Sequence, residues 1–376
     1  MTAGDNSALL IMFAVFCLAG VVQIFYYLWF YLAPALYKPS ESNNFKEPVS
    51  VIVCARNEAE NLRNFLPSVL EQNYPSYEVI VVNDCSEDNS DDVLGDLLIR
   101  YPHLRISSIN KDPKFTHNKK FAQFIGIKAA TNEILLLTDA DCHPDSDKWI
   151  EKMVSNFKDS VDFVLGYGGY LCEKGILNRY IRYDSMFIAM QYLGMAIKGI
   201  PYMGVGRNLA YKRSVFFRNK GFGVHNQIVS GDDDLFVNAN ASKSNTRVEF
   251  RPGSHTRSVP VATLGALIKQ KQRHLTTAAF YRMRDKFLLT LEPAARVVFY
   301  TLLIILLCFS YLWPFVVAVF GLRLIVQLTV FAIIQKKLNE CRLLFISLIF
   351  DIFSPLINTA LYLSTFYNRT GRIKWK

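Results

Sequence analysis

The chain has 376 residues, room for about two domains. Hydrophobic residues make up 51% and aromatics 14%, more than an ordinary water-soluble protein carries, and the excess lies at the two ends. The net charge of +10 suits an anionic membrane surface, phosphorylated substrates or nucleic acid. Seven scattered cysteines (Cys17, Cys54, Cys85, Cys142, Cys172, Cys308, Cys341) form no C-x-x-C pair, which argues against a disulfide framework or a zinc site.

Residues 8–32 carry no charge, enough to span a hydrocarbon core of ~30 Å at ~1.5 Å per residue. The run is too long for a signal peptide and ends in Tyr26, Tyr27, Trp29 and Tyr31, which suit a membrane interface. It reads as an uncleaved anchor. Only Asp5 is charged before it, whereas Lys38, Lys46 and Arg56 follow, so the N-terminus is expected outside and the next domain in the cytoplasm.

From Pro48 the pattern changes. Val49–Cys54, Glu78–Val82, Leu104–Ile109, Ile134–Thr138 and Val161–Leu165 read as short strands. Helical stretches lie between them, near 59–71, 88–100, 118–130 and 148–158. This alternation predicts an α/β domain with a mostly parallel sheet and helices on both faces. Polar clusters stand where strands stop: Ala55-Arg56-Asn57-Glu58, then Asn83-Asp84-Cys85-Ser86, then Asp139-Ala140-Asp141. Ligands bind at the carboxyl edge of such sheets. The same residues also serve as helix caps and turns.

Asp139 and Asp141 close the apolar run Leu135–Leu137. Their i, i+2 spacing puts both carboxylates on one side of an extended segment, within reach of one divalent cation. Oxygen-only ligands suit Mg²⁺ or Mn²⁺. There is no G-x-G-x-x-G after the first strand and no G-x-x-x-x-G-K-[ST], which disfavours a Rossmann dinucleotide site and a P-loop.

Val51 to Glu58, Val81 to Ser86 and Thr138 to Asp141 together resemble the family 2 glycosyltransferases, more narrowly their membrane-anchored, cellulose-synthase-like branch. The resemblance implies a GT-A, Rossmann-like catalytic domain. It implies that Ala55, Asn57, Glu58 and Asp84 bind the nucleoside of a nucleotide-sugar, and that Asp139 and Asp141 hold the metal and diphosphate. Asn118 to Ile127 resembles the family's Gly-Lys-x-x-Ala-Leu-Asn-x-Gly-Ile segment, keeping Lys119, Ala122 and Gly126 but lacking the first Gly, the Leu and the Asn. Lys119 is thereby implied in donor binding.

Met203 to Tyr211 resembles the family's glycine-containing acceptor-side segment, which implies Gly204, Gly206 and Asn208. Glycines there let the backbone approach a sugar. In Ser230-Gly-Asp-Asp-Asp-Leu235, clustered like charges raise one another's proton affinity, which suits a general base; helix capping also places acids here. Anchoring the family's acidic motif on Leu235 makes Asp232 the base, and anchoring on Gly231-Asp-Asp makes it Asp233; the first is preferred. Spacings of 3 and 4 put Gln270, Arg273 and His274 on one helix face. They resemble the family's Gln-x-x-Arg-Trp motif, implying donor contacts from Gln270 and Arg273, with His274 on the acceptor side in place of Trp. Composition alone also fits a basic juxtamembrane helix over 269–286. His255 is a candidate third metal ligand.

Residues 176–199 predict either an amphipathic interfacial helix or a core helix. Residues 297–334 form two apolar spans that turn at Trp313-Pro314, with Arg323 in the second. Residues 343–367 form a last apolar segment containing Asp351 and Pro355, and a basic tail follows at 368–376. Three crossings after a cytoplasmic domain would leave that tail outside, so the last segment is expected to be re-entrant or interfacial.

The domain plan is an anchor at 8–32, a catalytic domain at 48–286, apolar helices at 295–367 and the tail. The expected activity is inverting transfer of a sugar from a UDP-sugar to a lipid-linked or membrane-delivered acceptor. A multi-pass protein of a bacterial inner membrane is expected, with no nucleic-acid partner. A transporter and a non-catalytic nucleotide-sugar-binding module are the rival readings.

Overall fold

The computed structural model describes residues 3–38, 46–111, 118–158, 160–223, 228 and 230–367; the predicted basic tail lies outside that set. The helices in chain order are α1 (Ala3–Tyr26), α2 (Ala33–Leu36), α3 (Ala59–Leu70), α4 (Ser90–Arg100), α5 (Lys119–Ala129) and α6 (Trp149–Val154). Then follow α7 (Ile176–Ile197), α8 (Arg213–Arg218), α9 (Asp234–Asn240), α10 (Leu264–Ala278), α11 (Met283–Cys308), α12 (Trp313–Lys337) and α13 (Ile346–Tyr367). The strands are β1 (Val49–Ala55), β2 (Tyr77–Asp84), β3 (Leu104–Ile109), β4 (Ile134–Asp139) and β5 (Cys142–Pro144). They continue with β6 (Phe163–Gly166), β7 (Gly168–Tyr170), β8 (Leu209–Lys212), β9 (Thr246–Glu249) and β10 (Thr256–Ser258).

The main sheet has the order β3-β2-β1-β4-β8-β6-β9. β1 to β4 are parallel, β8 runs antiparallel to β4 and β6, and β9 is parallel to β6. The chain winds outward from β1 through β2 to β3, then returns to the other side of β1 for β4. That reversal leaves a crevice at the carboxyl ends of β1 and β4. Alternate side chains feed two cores. Val51, Val53, Val81 and Leu136 pack with Leu62 and Trp149 on one face; Ile52, Val82, Leu135 and Leu137 pack with Ile127 and α7 on the other. A small sheet, β5-β10-β7, closes the crevice's lower side and pairs Cys142 with Ser258.

Four helices are long and apolar enough to cross a membrane: Asn6–Leu36, Met283–Cys308, Trp313–Lys337 and Ile346–Thr365. α1 and α11 run antiparallel. The Tyr26 hydroxyl donates to the Leu288 carbonyl at 2.8 Å, and Phe16 stacks on Phe299 at 4.6 Å. α12 turns back through residues 309–312, with Leu312 left-handed at φ 46° and Pro314 in its first turn. Its last turn returns to the catalytic domain, where Lys337 lies over Phe250 at 5.8 Å. α13 behaves differently. It meets the catalytic domain near both ends, through Phe350 on Tyr180 at 5.0 Å and a Gln272 amide donating to Ser364 at 2.7 Å. A helix held at both ends by one domain lies along that domain.

Two aromatic expectations shift. Tyr26, Tyr27 and Tyr31 are buried in the main core rather than displayed at an interface, because the chain passes through a π-helical turn at Tyr27–Tyr31 that packs on α7. Trp29 alone of the four stays half exposed, with Lys198 over its ring at 4.0 Å. α7 is a core helix, with Tyr183, Met186, Met190 and Leu193 all sealed. α11 begins at Met283, so the domain boundary drawn at 286 falls in its first turn.

Gly126 decides how closely α5 sits on the sheet. A Cβ there would lie 2.7 Å from Ile52 Cγ2 and 3.0 Å from Val82 Cγ2. Gly126→Ala is expected to cost about 1–3 kcal/mol by overpacking. Gly95, inside α4 with nothing within 4 Å, is the control; Gly95→Ala should gain about 0.5–1 kcal/mol. Thermal unfolding of both variants in detergent checks the opposite signs.

Candidate active site

At the ends of β1 and β2 the backbone turns sharply. Asn57 and Cys85 are both left-handed, at φ 53° and 55°. The loops are stitched together: Asn57 N donates to Ser86 Oγ at 2.9 Å, and Glu87 N donates to Asn57 Oδ1 at 2.7 Å. Glu58 accepts from the Asn61 amide, and its own N–H donates to Ser90 at 3.3 Å. Asp84 is fully buried at the end of β2, with the Cys85 thiol donating to it at 3.4 Å. The Ala55 methyl is buried in the core, which leaves only its backbone to meet a nucleoside.

Asp139 ends β4 and Asp141 follows one residue later. Ligand atoms of Asp139, Asp141 and Cys142 lie within 4.8 Å of one another. Burial pushes the Cys142 thiol well up, so it stays protonated and leaves an oxygen-only pair. Two carboxylate oxygens facing one space fit a hard divalent cation that completes its shell from phosphate and water. Lys119 already supplies positive charge there, its Nζ 2.6 Å from Asp139 Oδ1 and 3.6 Å from Asp232 Oδ2. Burial raises the Asp139 carboxyl, but Lys119 overrides it and holds the group below the usual carboxylate range. The same carboxylates raise the Lys119 ammonium against its desolvation. Lys119 is aimed by its helix start: Asn118 caps α5, its Oδ1 accepting from Phe121 N at 2.9 Å. His255 is no metal ligand. It is sealed against Tyr167, its Nε2 is 2.8 Å from the Phe250 carbonyl, and burial keeps it neutral.

The acidic triplet divides into three environments. Asp232 is 5% exposed, and among the described residues its Oδ2 has no hydrogen-bond partner and lies 3.6 Å from Lys119 Nζ. Burial raises its carboxyl; Lys119 opposes and Asp233 reinforces the shift. Asp233 is the one member that is only half-buried. It accepts from Gly206 N at 2.6 Å and from Asp234 N at 2.8 Å, capping α9. Asp234 is buried against the Thr277 and Tyr281 hydroxyls and Leu235 N. Burial, then the Asp233 charge, pushes it up to about 7. Thr277 also reaches the His274 carbonyl at 2.7 Å. One hydroxyl proton cannot serve both contacts, so a proton on Asp234 completes the set.

Of the two glycines assigned to the acceptor side, Gly206 lies beside Asp233 and Lys119, whereas Gly204 faces Leu165, Leu209 and Val237 in the core. Asn208 is also structural. It is fully buried, accepts from Trp149 Nε1 at 3.0 Å and donates to the Tyr167 and Ser254 carbonyls, both at 2.8 Å. The residue between them was missed. Arg207 stacks over Tyr170 at 4.3 Å and enters the site; its only signal was its place in the glycine segment.

A cavity of about 770 Å³ opens from the triplet. Gln270, Arg273 and His274 of α10 line it together with Lys119, Arg207 and Asp233. Enclosure, then the surrounding cations, holds His274 well below the usual imidazole range and therefore neutral. Lys271, which the predicted face omitted, pairs with Asp184 at 2.5 Å. Asp139 and Asp141 stand outside the lining. Lys119 belongs to both zones and joins them.

A phosphate-compatible sheet edge joined to an acid-lined cavity is the site of a group-transfer enzyme. Residues 50–217 match glycosyl transferase family 2, and residues 134–366 match glycosyl transferase family group 2. The chain is 30% identical over 241 residues to glycosyltransferase AglE of Haloferax volcanii, covering 60% of this chain and 71% of that one. It is 24% identical over 256 residues to the probable glycosyltransferase YdaM of Bacillus subtilis, covering 66% of this chain and 57% of that one. The fold matches a mannosyltransferase of Pyrobaculum calidifontis solved with GDP-Man and Mn²⁺, at TM-score 0.64 and 18% identity, over 96% of this chain and 99% of that one. The chain belongs to the family 2 glycosyltransferases, and its catalytic domain has the GT-A fold.

Asp234 sets a pH dependence. Its folded value, about 7, exceeds the ordinary 3.8, so the folded state binds the proton more tightly. Its contribution to stability is complete below 3.8 and is lost as pH rises through about 7. Asp234→Asn should flatten the unfolding midpoint over that window, as a pH series of thermal melts would read.

Proposed function

We propose that the protein transfers a sugar from a nucleotide-sugar, a UDP-sugar, to a hydroxyl of a lipid-linked or membrane-delivered acceptor, with inversion. The observation that carries this is the Lys119 bridge. It links the Asp139/Asp141 edge, suited to a diphosphate, to the triplet at the mouth of the cavity. Asn57, Glu58 and Asp84 lie at the neighbouring strand ends, where a nucleoside would sit.

In this reading the acceptor oxygen attacks the anomeric carbon while the bond from that carbon to the diphosphate breaks. The acceptor proton passes to the Asp233 carboxylate. Asp233 takes this role, rather than the Asp232 favoured by the Leu235 register, because all three border the cavity but it alone is only half-buried. Its two backbone donors fix its orientation and leave each oxygen a further lone pair. Asp232 positions Lys119. Arg207 and Arg273 add positive charge for the departing diphosphate, and neutral His274 offers a hydrogen bond to the acceptor sugar. Asp139 and Asp141 would hold Mg²⁺ or Mn²⁺, which supplies further charge neutralisation to the leaving group.

The apolar helices support an integral, multi-pass reading in the cellulose-synthase-like branch. α1, α11 and α12 would cross, and α13 would lie on the cytoplasmic surface under the catalytic domain, as its contacts at both ends favour.

Asp233→Asn should lower transfer by roughly 10²–10⁴-fold while donor binding persists. Asp232→Asn should have the smaller effect. Radiolabelled transfer across a panel of UDP- and GDP-sugars, with and without Mn²⁺, reads both. Full transfer by Asp233→Asn would remove the base assignment, and full transfer by both variants would remove the mechanism. Asp139→Asn should abolish the response to added Mn²⁺; a response of wild-type size would count against the metal pair.

A further inference from the structure

The cavity does not end at the triplet. It continues between the apolar helices, where Leu289, Pro293 and Arg296 of α11 face Pro355, Asn358 and Thr359 of α13. Both prolines sit inside helices, and both are at the lining. A proline inside a helix removes one backbone hydrogen bond, and here two such positions border one space. The space opens outward: Thr290 and Thr359 line it and are exposed. Beside that opening the surface of α13 is apolar, with Ile352, Phe353, Leu356 and Leu363 all exposed.

The polar furniture has one sign to spare. Glu292 is consumed by Arg296, at 2.5 Å, and Asp184 by Lys271. Lys286 also lines the cavity and has no carboxylate within ion-pair distance among the described residues. The cavity therefore offers an apolar slot with one cation to spare.

We propose that this slot holds a phosphate-bearing lipid, with its anionic group at Lys286 and its hydrocarbon leaving sideways between α11 and α13 at the level of Thr359. The inference rests on the glycosyl-transfer reading, since it makes this lipid the carrier of the acceptor hydroxyl. The chain enters from the membrane side, and the sugar end reaches Asp233 without the lipid leaving the bilayer. Charge complementarity selects an anionic lipid over a neutral one.

The test uses the full chain in phosphatidylcholine vesicles containing a diazirine-bearing alkyl phosphate, with mass mapping of the photo-crosslinks. Labelling is expected within 286–296 and 354–362. Unlabelled dodecyl phosphate should compete it away; dodecanol and inorganic phosphate should not. Thr359→Trp, which fills the opening, should remove most of the labelling, and Lys286→Gln should erase the preference for phosphate over alcohol. The Lys286 change is nearly isosteric and only half-buried, so it keeps the test alive where the tryptophan variant fails to fold. Labelling spread over the outer faces of α1 and α12, or equal competition by inorganic phosphate, overturns the slot. Donor hydrolysis by the wild-type chain in the same vesicles is read separately. Hydrolysis without slot labelling overturns the slot alone, whereas absence of hydrolysis and transfer with every donor overturns the enzymatic reading beneath it.

Discussion

One ammonium among carboxylates organises the catalytic half of the molecule. Asp139, Asp232 and Asp233 converge from β4 and from the start of α9, and Lys119 stands between the first two. Without it, like charges would share a poorly hydrated site, and each would be driven to take up a proton. The lysine can serve because three separate features aim it. Asn118 caps the helix that carries it, Gly126 lets that helix lie directly on β1 and β2, and the β1/β4 reversal opens the crevice it points into. A local hydrogen bond, a missing Cβ and a topological rule thus converge on the position of one nitrogen.

The same physics holds the catalytic domain to the helices. Glu340, in the α12–α13 loop, is buried and accepts from Arg182 at 2.6 Å, Arg257 at 2.5 Å and Tyr167 at 2.9 Å. Deeper, Arg323 and Arg296 meet Asp351 at 2.7 Å and 3.2 Å, and Arg296 also binds Glu292. Two cations and two anions cancel there, and Tyr300, Tyr27 and Gln23 take up remaining contacts. Such a cluster is weak evidence of extra stability, since desolvation offsets much of the attraction. What it does fix is register: removing any one member leaves a charge buried without its partner, at roughly 3–5 kcal/mol. α1, α11, α12 and α13 are therefore pinned at one depth relative to one another, and the cavity between α11 and α13 keeps its shape.

Much of this was legible in the sequence, for identifiable reasons. The parallel strands announce themselves because both faces are buried, so their apolar runs are unbroken and the polar residues collect at their ends. Asp139, Asp141 and Lys119 stand out in the sequence because their chemistry is unusual at those places. The directions in which Asn208 and Gly204 face were not legible, because a motif gives residue types and not directions. The amide of Asn208 is spent on Trp149, Tyr167 and Ser254, three residues far apart in sequence. Arg207 was missed for the converse reason: a lone arginine in a loop has no pattern until Tyr170 is seen beneath it. The triplet could not be resolved by alignment to a motif, since adjacent aspartates differ only in what each touches.

The last apolar segment illustrates how a conflict within a sequence can be informative. Length and hydropathy make residues 346–365 a fourth span, yet positive-inside bias and Asp351 speak against a crossing. The contacts of α13 reconcile them. Its start packs on Tyr180 and its end on Gln272, both of the catalytic domain, so its two ends share one side of the assembly. Its outward face is apolar, with Ile352, Phe353, Leu356 and Leu363 exposed, while Ser354 and Asn358 line the cavity and Asp351 is buried against Arg296 and Arg323. A helix that crosses a bilayer must be apolar all round or bundled on every side. One held along a domain by polar groups on a single face is two-faced, and the composition of α13 fits that arrangement.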